Sequence, residues 1–397
     1  MESLRVDKDN KFSNYNIALF AVVFMNIQFL PIEGWPISMP KVVFMTISPF
    51  ICMIRAPFIS KATIWGMLFW MITVGLSVFQ FGATRMSTFY YSALFLFLFN
   101  LYYNLIYKKE VFTLDEFIDI LKFIILAYFV CLVLQEISFI AGLRKNPLIN
   151  MMGFRYYELF RLNSLGIEPS SSARTLAVCF YGLLKCTEYK LGEPPSISYL
   201  INNYRWPVIG FLYTMIFMGS GTAMVCLAIL SLYFLKKQYA IIVLIMAFVL
   251  YNIIPLLDYT PLNRVVEVFN ASITGDTELV RKTDHSASTR VNIIIDTFKY
   301  VDFSDSQMWL GKGIGAMQFE EHAIASGIVD YGLISYFAKL GMFFSCCFTG
   351  LFTIEVLMYI LIFGVNIGNV AYGWGALMIF ATIKYFKINR EYFQEKE

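Results

Sequence analysis

The sequence predicts an all-α polytopic membrane protein of about twelve transmembrane helices, with one large loop between spans 9 and 10. Three observations predict it. Of 397 residues, 58% are hydrophobic and 15% charged, against about 45–50% apolar and about 25% charged in a soluble domain. Apolar runs long enough to cross a hydrocarbon core of about 30 Å recur along the chain. One long polar interval, 257–330, stands between two such runs. With no internal repeat or linker, residues 1–397 read as a single integral membrane domain and 257–330 as a loop within it.

The spans fall near 14–31, 38–54, 62–81, 88–106, 117–140, 171–187, 205–218, 221–235, 238–256, 328–345, 347–364 and 368–386. The first follows Arg5, Lys8 and Lys11 and lacks a small-residue cleavage site, so it reads as a retained span. Thr113-Leu114-Asp115-Glu116 is a capping box that starts the helix of the fifth. Pro169 fits the first turn of the sixth, with Glu168 just ahead of it. The seventh and eighth are short, and Gly219-Ser220-Gly221 between them predicts a reverse turn or close helix packing. The tenth and eleventh run together, and Glu355 lies inside the eleventh. Trp35, Trp206 and Trp309 fall at interfaces, where aromatic belts form. Inside the loop, Thr260-Pro261 reads as a cap followed by a first-turn proline. Ser288 reads as the cap of a helix through Val301, with Ile294, Phe298 and Val301 as its apolar face.

Lysine and arginine bias in short loops sets orientation. With the N-terminus cytosolic, the inside connections collect Arg55, Lys61, Lys108, Lys109, Lys236 and Lys237, while the short outside ones hold Arg85 alone. Both termini then lie in the cytosol. Two outside segments break the bias. Residues 141–170 carry Arg144, Lys145, Arg155 and Arg161, and the long loop carries Arg264, Arg281 and Arg290 among its cations. Long loops cross regardless of charge. The functional alternative is an anionic substrate at the outer surface, because guanidinium suits bidentate phosphate binding.

Composition excludes several classes. A net charge of +3 is too small for a nucleic-acid surface. The seven cysteines lie in or beside apolar runs without metal-ligand spacing, and with two histidines no zinc site is expected. Chemistry is expected in two places. Arg161 to Arg174 brings Glu168, Pro169, Ser170, Ser171 and Ser172 to a helix start that faces outward, a place for a diphosphate. A capped helix with Glu168 stabilising its N-terminus is the structural alternative. His285 to Arg290, Gly311-x-Gly313-x-Gly315, Glu320-Glu321-His322 and Asp330 form the second. The glycines are read as a turn that lets backbone approach the membrane surface. His322 reads as a tuned base or a solvated loop histidine, and Asp330 as a working group or the partner of a loop arginine.

Arg161…Glu168-Pro169-Ser170…Ala173, Met218-Gly219-Ser220-Gly221-Thr222 and Arg290…Gly313-Ile314-Gly315…Asp330-Tyr331-Gly332 together resemble the bacterial O-antigen polymerases of the Wzy type, in the O-antigen ligase-like superfamily. Gly221 stands where that superfamily often has the arginine of a Ser-Arg pair, and Asp330-Tyr331 where ligases carry His-Asn. The resemblance implies a metal-independent glycosyltransferase of the bacterial inner membrane, with 257–330 as a periplasmic loop. It implies transfer of a growing undecaprenyl-diphosphate-linked glycan onto a lipid-linked repeat unit. Donor and acceptor lipids are the expected partners, with a chain-length regulator protein beside them, no cofactor and no nucleic acid. Arg161, Arg174 and Arg290 are the expected diphosphate ligands, and Asp330, His322 and Glu168, in that order, the expected base. The alternatives are an O-antigen ligase acting on lipid A-core and a lipid-linked sugar transporter. A transporter is expected to carry polar residues in mid-span and broken helices.

Overall fold

The structure, a computed structural model, describes residues 2–28, 39–77, 86–143, 162–235, 260–283, 285–316, 324–366 and 371–389. These form sixteen α-helices, a 3-10 turn at Leu232–Phe234 and no strand. The first group is α1 (Glu2–Asn26), α2 (Met39–Arg55), α3 (Lys61–Ser77), α4 (Met86–Lys109), α5 (Leu114–Ile140), α6 (Pro169–Leu191), α7 (Ile197–Asn203), α8 (Arg205–Phe217) and α9 (Gly221–Ser231). The long loop holds α10 (Thr260–Ile273), α11 (Thr277–Thr283), α12 (His285–Tyr300) and α13 (Ser306–Leu310). Then come α14 (Ser326–Cys346), α15 (Ile354–Leu361) and α16 (Ala371–Ile388). Among the described residues, α4 and α5 are long and apolar enough to cross a membrane, and Lys61–Leu76 and Gly221–Phe234 are apolar but shorter.

The start of α5 is the capping box read from the sequence. Thr113 N donates to Glu116 Oε2 (2.8 Å), and Glu116 N donates back to Thr113 Oγ1 (3.3 Å). The helix is apolar all round. Phe117, Leu121, Ile124 and Tyr128 are buried, while Phe123, Val130, Leu134 and Ile137 are exposed. A helix apolar on every face belongs in a core or in lipid. Exposed apolar residues also line α2, at Val43, Ile47, Phe50 and Ile54.

The core is centred on α6, buried without interruption from Ser170 to Leu184. It packs against α5, α9 and α16, and α16 in turn packs against α1 and α4. Specific bonds fix which helix ends lie together. At one end, Lys190 of α6 pairs with Asp115 of α5 (2.7 Å) and Lys384 of α16 donates to Phe344 O of α14 (2.6 Å). At the other, the start of α16 meets the end of α1, where a Cβ on Gly375 would fall 2.6 Å from Asn26 Oδ1. Here also Tyr128 Oη donates to Asn26 O (2.6 Å) and Gln28 N to Leu165 O (2.9 Å). We call this second end, which carries the start of α6, the upper end.

Three expectations change. The eleventh stretch is not one continuous helix: residues 347–353 are non-helical and α15 has eight residues. Glu355 sits in its first turn, fully buried, and accepts from Thr349 Oγ1 (2.9 Å). The tenth span is broken at Gly332 (φ 81°, ψ 159°). In the loop, α12 starts at His285, so Ser288 lies inside it. Its buried side is Ser288, Asn292 and Asp296, while Phe298 is 87% exposed. Polar bonds set that face: Asn292 Nδ2 donates to Thr277 O (2.9 Å), and Thr297 Oγ1 accepts from Ala325 N (2.8 Å). The short seventh and eighth spans are two helices, α8 and α9, joined by a turn at Met218–Ser220 with Gly219 at φ 61°. Trp206, at the start of α8, is exposed. Trp35 and the ninth span lie outside the described residues.

Candidate functional site

Residues 162–168 reach α6 as a turn held by side chains. Ser164 N donates to Gln135 Oε1 (2.8 Å), and Gln135 Nε2 donates to Ser164 O (3.0 Å). Ser164 Oγ donates to Tyr128 O (2.6 Å), Asn163 Nδ2 to Gly166 O (2.8 Å), and Ser172 Oγ to Asn163 O. Ser164 sits at φ 49°, a left-handed conformation that a residue with a Cβ keeps only where its surroundings over-determine it. The two-way exchange with Gln135 supplies that constraint. Gln135→Ala strands the buried Ser164 amide, and a cost of about 1–3 kcal/mol is expected, read as a lower melting temperature. Gln135→Glu puts a carboxyl at a fully buried position facing the Ser164 carbonyl, so it should cost at least as much as Gln135→Ala.

The turn delivers the helix start that the sequence placed here. Glu168 is the N-cap, extended at φ −147°, and Pro169 is the first helical residue. Glu168 N donates to Ser171 Oγ (3.2 Å), and Ser170 Oγ donates to Glu168 Oε1 (2.6 Å). The exposed Glu168 carboxylate thus sits where the helix dipole favours an anion. The turn packs beside Tyr128 and Gln135, so the start of α6 is recessed below the end of α5 at Ile140.

Arg174 lies on the next turn and is 8% exposed. Its Nη1 donates to Tyr372 Oη (2.8 Å), and its guanidinium carbon is 5.3 Å from the centre of the same ring. Its Nε is buried with no hydrogen-bond partner among the described residues. No carboxylate among the described residues forms an ion pair with it. A contact of this kind with an aromatic ring returns about 0.5–2 kcal/mol, whereas burying an ion costs several kcal/mol. The charge is under-compensated and suits an anion.

Contacts lead from Arg174 to the end of the long loop. Tyr372 stacks on Phe363 (centroids 6.4 Å apart), and Val365 O accepts from Tyr336 Oη and Tyr359 Oη (2.7 Å each). The Tyr336 ring packs on Gly327 in the first turn of α14. One turn on is Asp330, 6% exposed, whose charge acts on the Lys339 ammonium. Lys339 is 3% exposed, 5.9 Å over the Phe343 ring, and the Ser335 hydroxyl on the same helix is buried without a partner.

The glycine-spaced turn brings its backbone against α14. Gly311, Gly313 and Gly315 all have positive φ (80°, 117° and 96°), as does Gly332. Lys312 N donates to Val329 O (2.7 Å), and a Cβ on Gly311 would fall 2.6 Å from Gly332 N. Backbone is clasped against backbone, and the break in α14 is what makes room.

Of the expected site residues, Glu168 and Arg174 share the start of α6, and Asp330 lies beyond the Phe363–Val365 relay. Arg161 and His322 lie outside the described residues, as does the side chain of Arg290 on α12. Sequence reading missed Tyr372, for which no local signal exists. It also passed over Lys339, an ionisable residue well inside an apolar span, which is a legible signal. Among the described residues no three His, Cys, Asp or Glu side chains gather as metal ligands. Compared with known proteins, the chain matches no family model, no curated protein and no solved structure.

Proposed function

We propose that this chain is a membrane glycosyltransferase of the O-antigen polymerase type, using a polyprenyl-diphosphate-linked donor. The supporting observation is Arg174: a buried guanidinium with an unpartnered Nε and no carboxylate among the described residues, beside a serine-rich helix start. In this reading the upper end faces the periplasm, the chain makes about twelve passages of the inner membrane, and both termini are cytosolic. An acceptor sugar hydroxyl attacks the donor's anomeric carbon. The bond from that carbon to the diphosphate oxygen breaks, and the lipid diphosphate leaves with the electron pair. The hydroxyl proton passes to a base, for which Asp330, His322 and Glu168 are the candidates. Arg174, with Arg161 and Arg290, stabilises the departing diphosphate. The activated lipid phosphate supplies the free energy, so neither nucleotide nor metal ion enters the scheme. A chain-length regulator is the expected protein partner.

A second reading, transport of a lipid-linked sugar, is favoured by one feature: the break at Gly332 with Lys339 and Ser335 buried below it. Broken helices with buried charge are what transporters use. Deletion of the gene followed by gel analysis of surface glycan separates the two. Caps of a single repeat are expected for a polymerase. Loss of all capped product would point to a transporter or a ligase and overturn the proposal. A reporter fused after Asp276 should read periplasmic, and a cytosolic signal would reverse the topology.

A further inference from the structure

Several lysines toward the lower end of the bundle have polar partners, and one buried lysine at the upper end does not. Toward the lower end, Lys122 pairs with Asp119 (2.5 Å), Lys185 with Glu188 (2.6 Å) and Lys190 with Asp115 (2.7 Å). Lys384 and Lys387 there donate to the carbonyls of Phe344 and Thr349. At the upper end Lys41 has no such partner among the described residues. It is 4% exposed, its ammonium is buried without a hydrogen bond to any of them, and the Phe24 ring lies 5.5 Å away in the last turn of α1. Lys41 is the third residue of α2, a seventeen-residue helix. Side chains on a helix lean toward its N-terminus, so the ammonium is directed to the positive dipole end of α2. The end of α1 also meets the start of α16, which carries Tyr372, so Lys41 and Arg174 belong to the same end of the bundle.

We propose that Lys41 and the first turn of α2 form a second phosphate-binding point, distinct from Arg174, for the phosphate of a lipid headgroup. The inference rests on the glycosyl-transfer reading only in naming the lipid. That reaction brings two lipid diphosphates together, and Arg174 accounts for one. A buried lysine that waits for an anion weakens the empty protein. A lysine that is merely structural strengthens it.

The test uses the full chain in nanodiscs of zwitterionic lipid, with farnesyl diphosphate as probe. Two bound equivalents are expected for the wild type and for Lys41→Arg, and one each for Lys41→Met and Arg174→Met. Without probe, Lys41→Met should melt at or above the wild-type temperature, and its probe-induced rise in melting temperature should shrink. Inorganic pyrophosphate and phosphatidylglycerol are run as competitors. Lys41-dependent competition by pyrophosphate identifies the phosphate as the recognised group, and competition by phosphatidylglycerol alone identifies a phospholipid headgroup. Unchanged stoichiometry in Lys41→Met, or a lowered melting temperature with unchanged binding, would overturn the site. That result would leave the Arg174 reading standing. Wild-type glycan from an Arg174 variant would do the reverse.

Discussion

Arg174→Ala is expected to cut polymerisation by about 10²–10³-fold, the usual loss when one preorganised donor to a developing charge is removed. The protein should remain in the membrane at wild-type abundance. The variant breaks no ion pair with a described carboxylate, so no partner charge is stranded. What it loses in stability is one bond to Tyr372 Oη and a ring contact, set against relief from a buried ion of larger cost. Arg174→Lys keeps the charge and gives up the planar fork, so partial activity is expected. Tyr372→Phe keeps the ring and removes the hydroxyl. A loss near tenfold, the equivalent of one hydrogen bond, is expected if that bond aims the guanidinium. Gel ladders of surface glycan read all three. Wild-type ladders from Arg174→Ala at normal protein level would remove the observation on which the enzyme reading rests.

What could be read beforehand divides along the range of the interactions. The capping box at Thr113, the helix start at Glu168-Pro169 and the turn before Gly221 are written within four or five residues, and each stands as read. The face of α12 is not local. Its apolar periodicity points Phe298 inward, but Asn292 reaches Thr277 and Thr297 holds Ala325, and those bonds turn the helix the other way. Arg174 was singled out by its company of serines, whereas Tyr372, its partner, is 198 positions away. Lys122 has Asp119 three residues earlier on the same helix, a match written in the sequence. That Lys41 is buried without a hydrogen bond to any described residue is seen only in the packed structure. An unsatisfied buried charge of this kind is a tertiary property.

Gly332→Ala should destabilise the protein by about 3 kcal/mol or more. Two costs combine. At φ 81° and ψ 159° the backbone occupies a region held almost exclusively by glycine, which costs about 1–3 kcal/mol for any other residue. The new Cβ would lie 2.6 Å from Gly311 N and closer still to Trp309 O. Both are backbone atoms, which cannot swing aside as a side chain would. Gly311→Ala meets the same obstacle from the other strand of the clasp, at φ 80° and ψ 155°. Because either change alone forces the segments apart, the double variant should cost much less than the sum, a coupling typical of residues in contact. Gly75→Ala is the control: it is helical, with nothing within 4 Å of the added carbon, so it should be neutral or gain up to about 1 kcal/mol. Thermal melts of the detergent-solubilised protein measure the series. The clasp also sets where Asp330 sits, since it grips the backbone at Val329 and Gly332 on either side. If Asp330 is the base, Gly332→Ala and Asp330→Asn should both abolish polymer at a temperature where the first variant is still folded. An active, folded Gly332→Ala protein would mean that Asp330 need not be held there, and the base would have to be sought at Glu168 or His322.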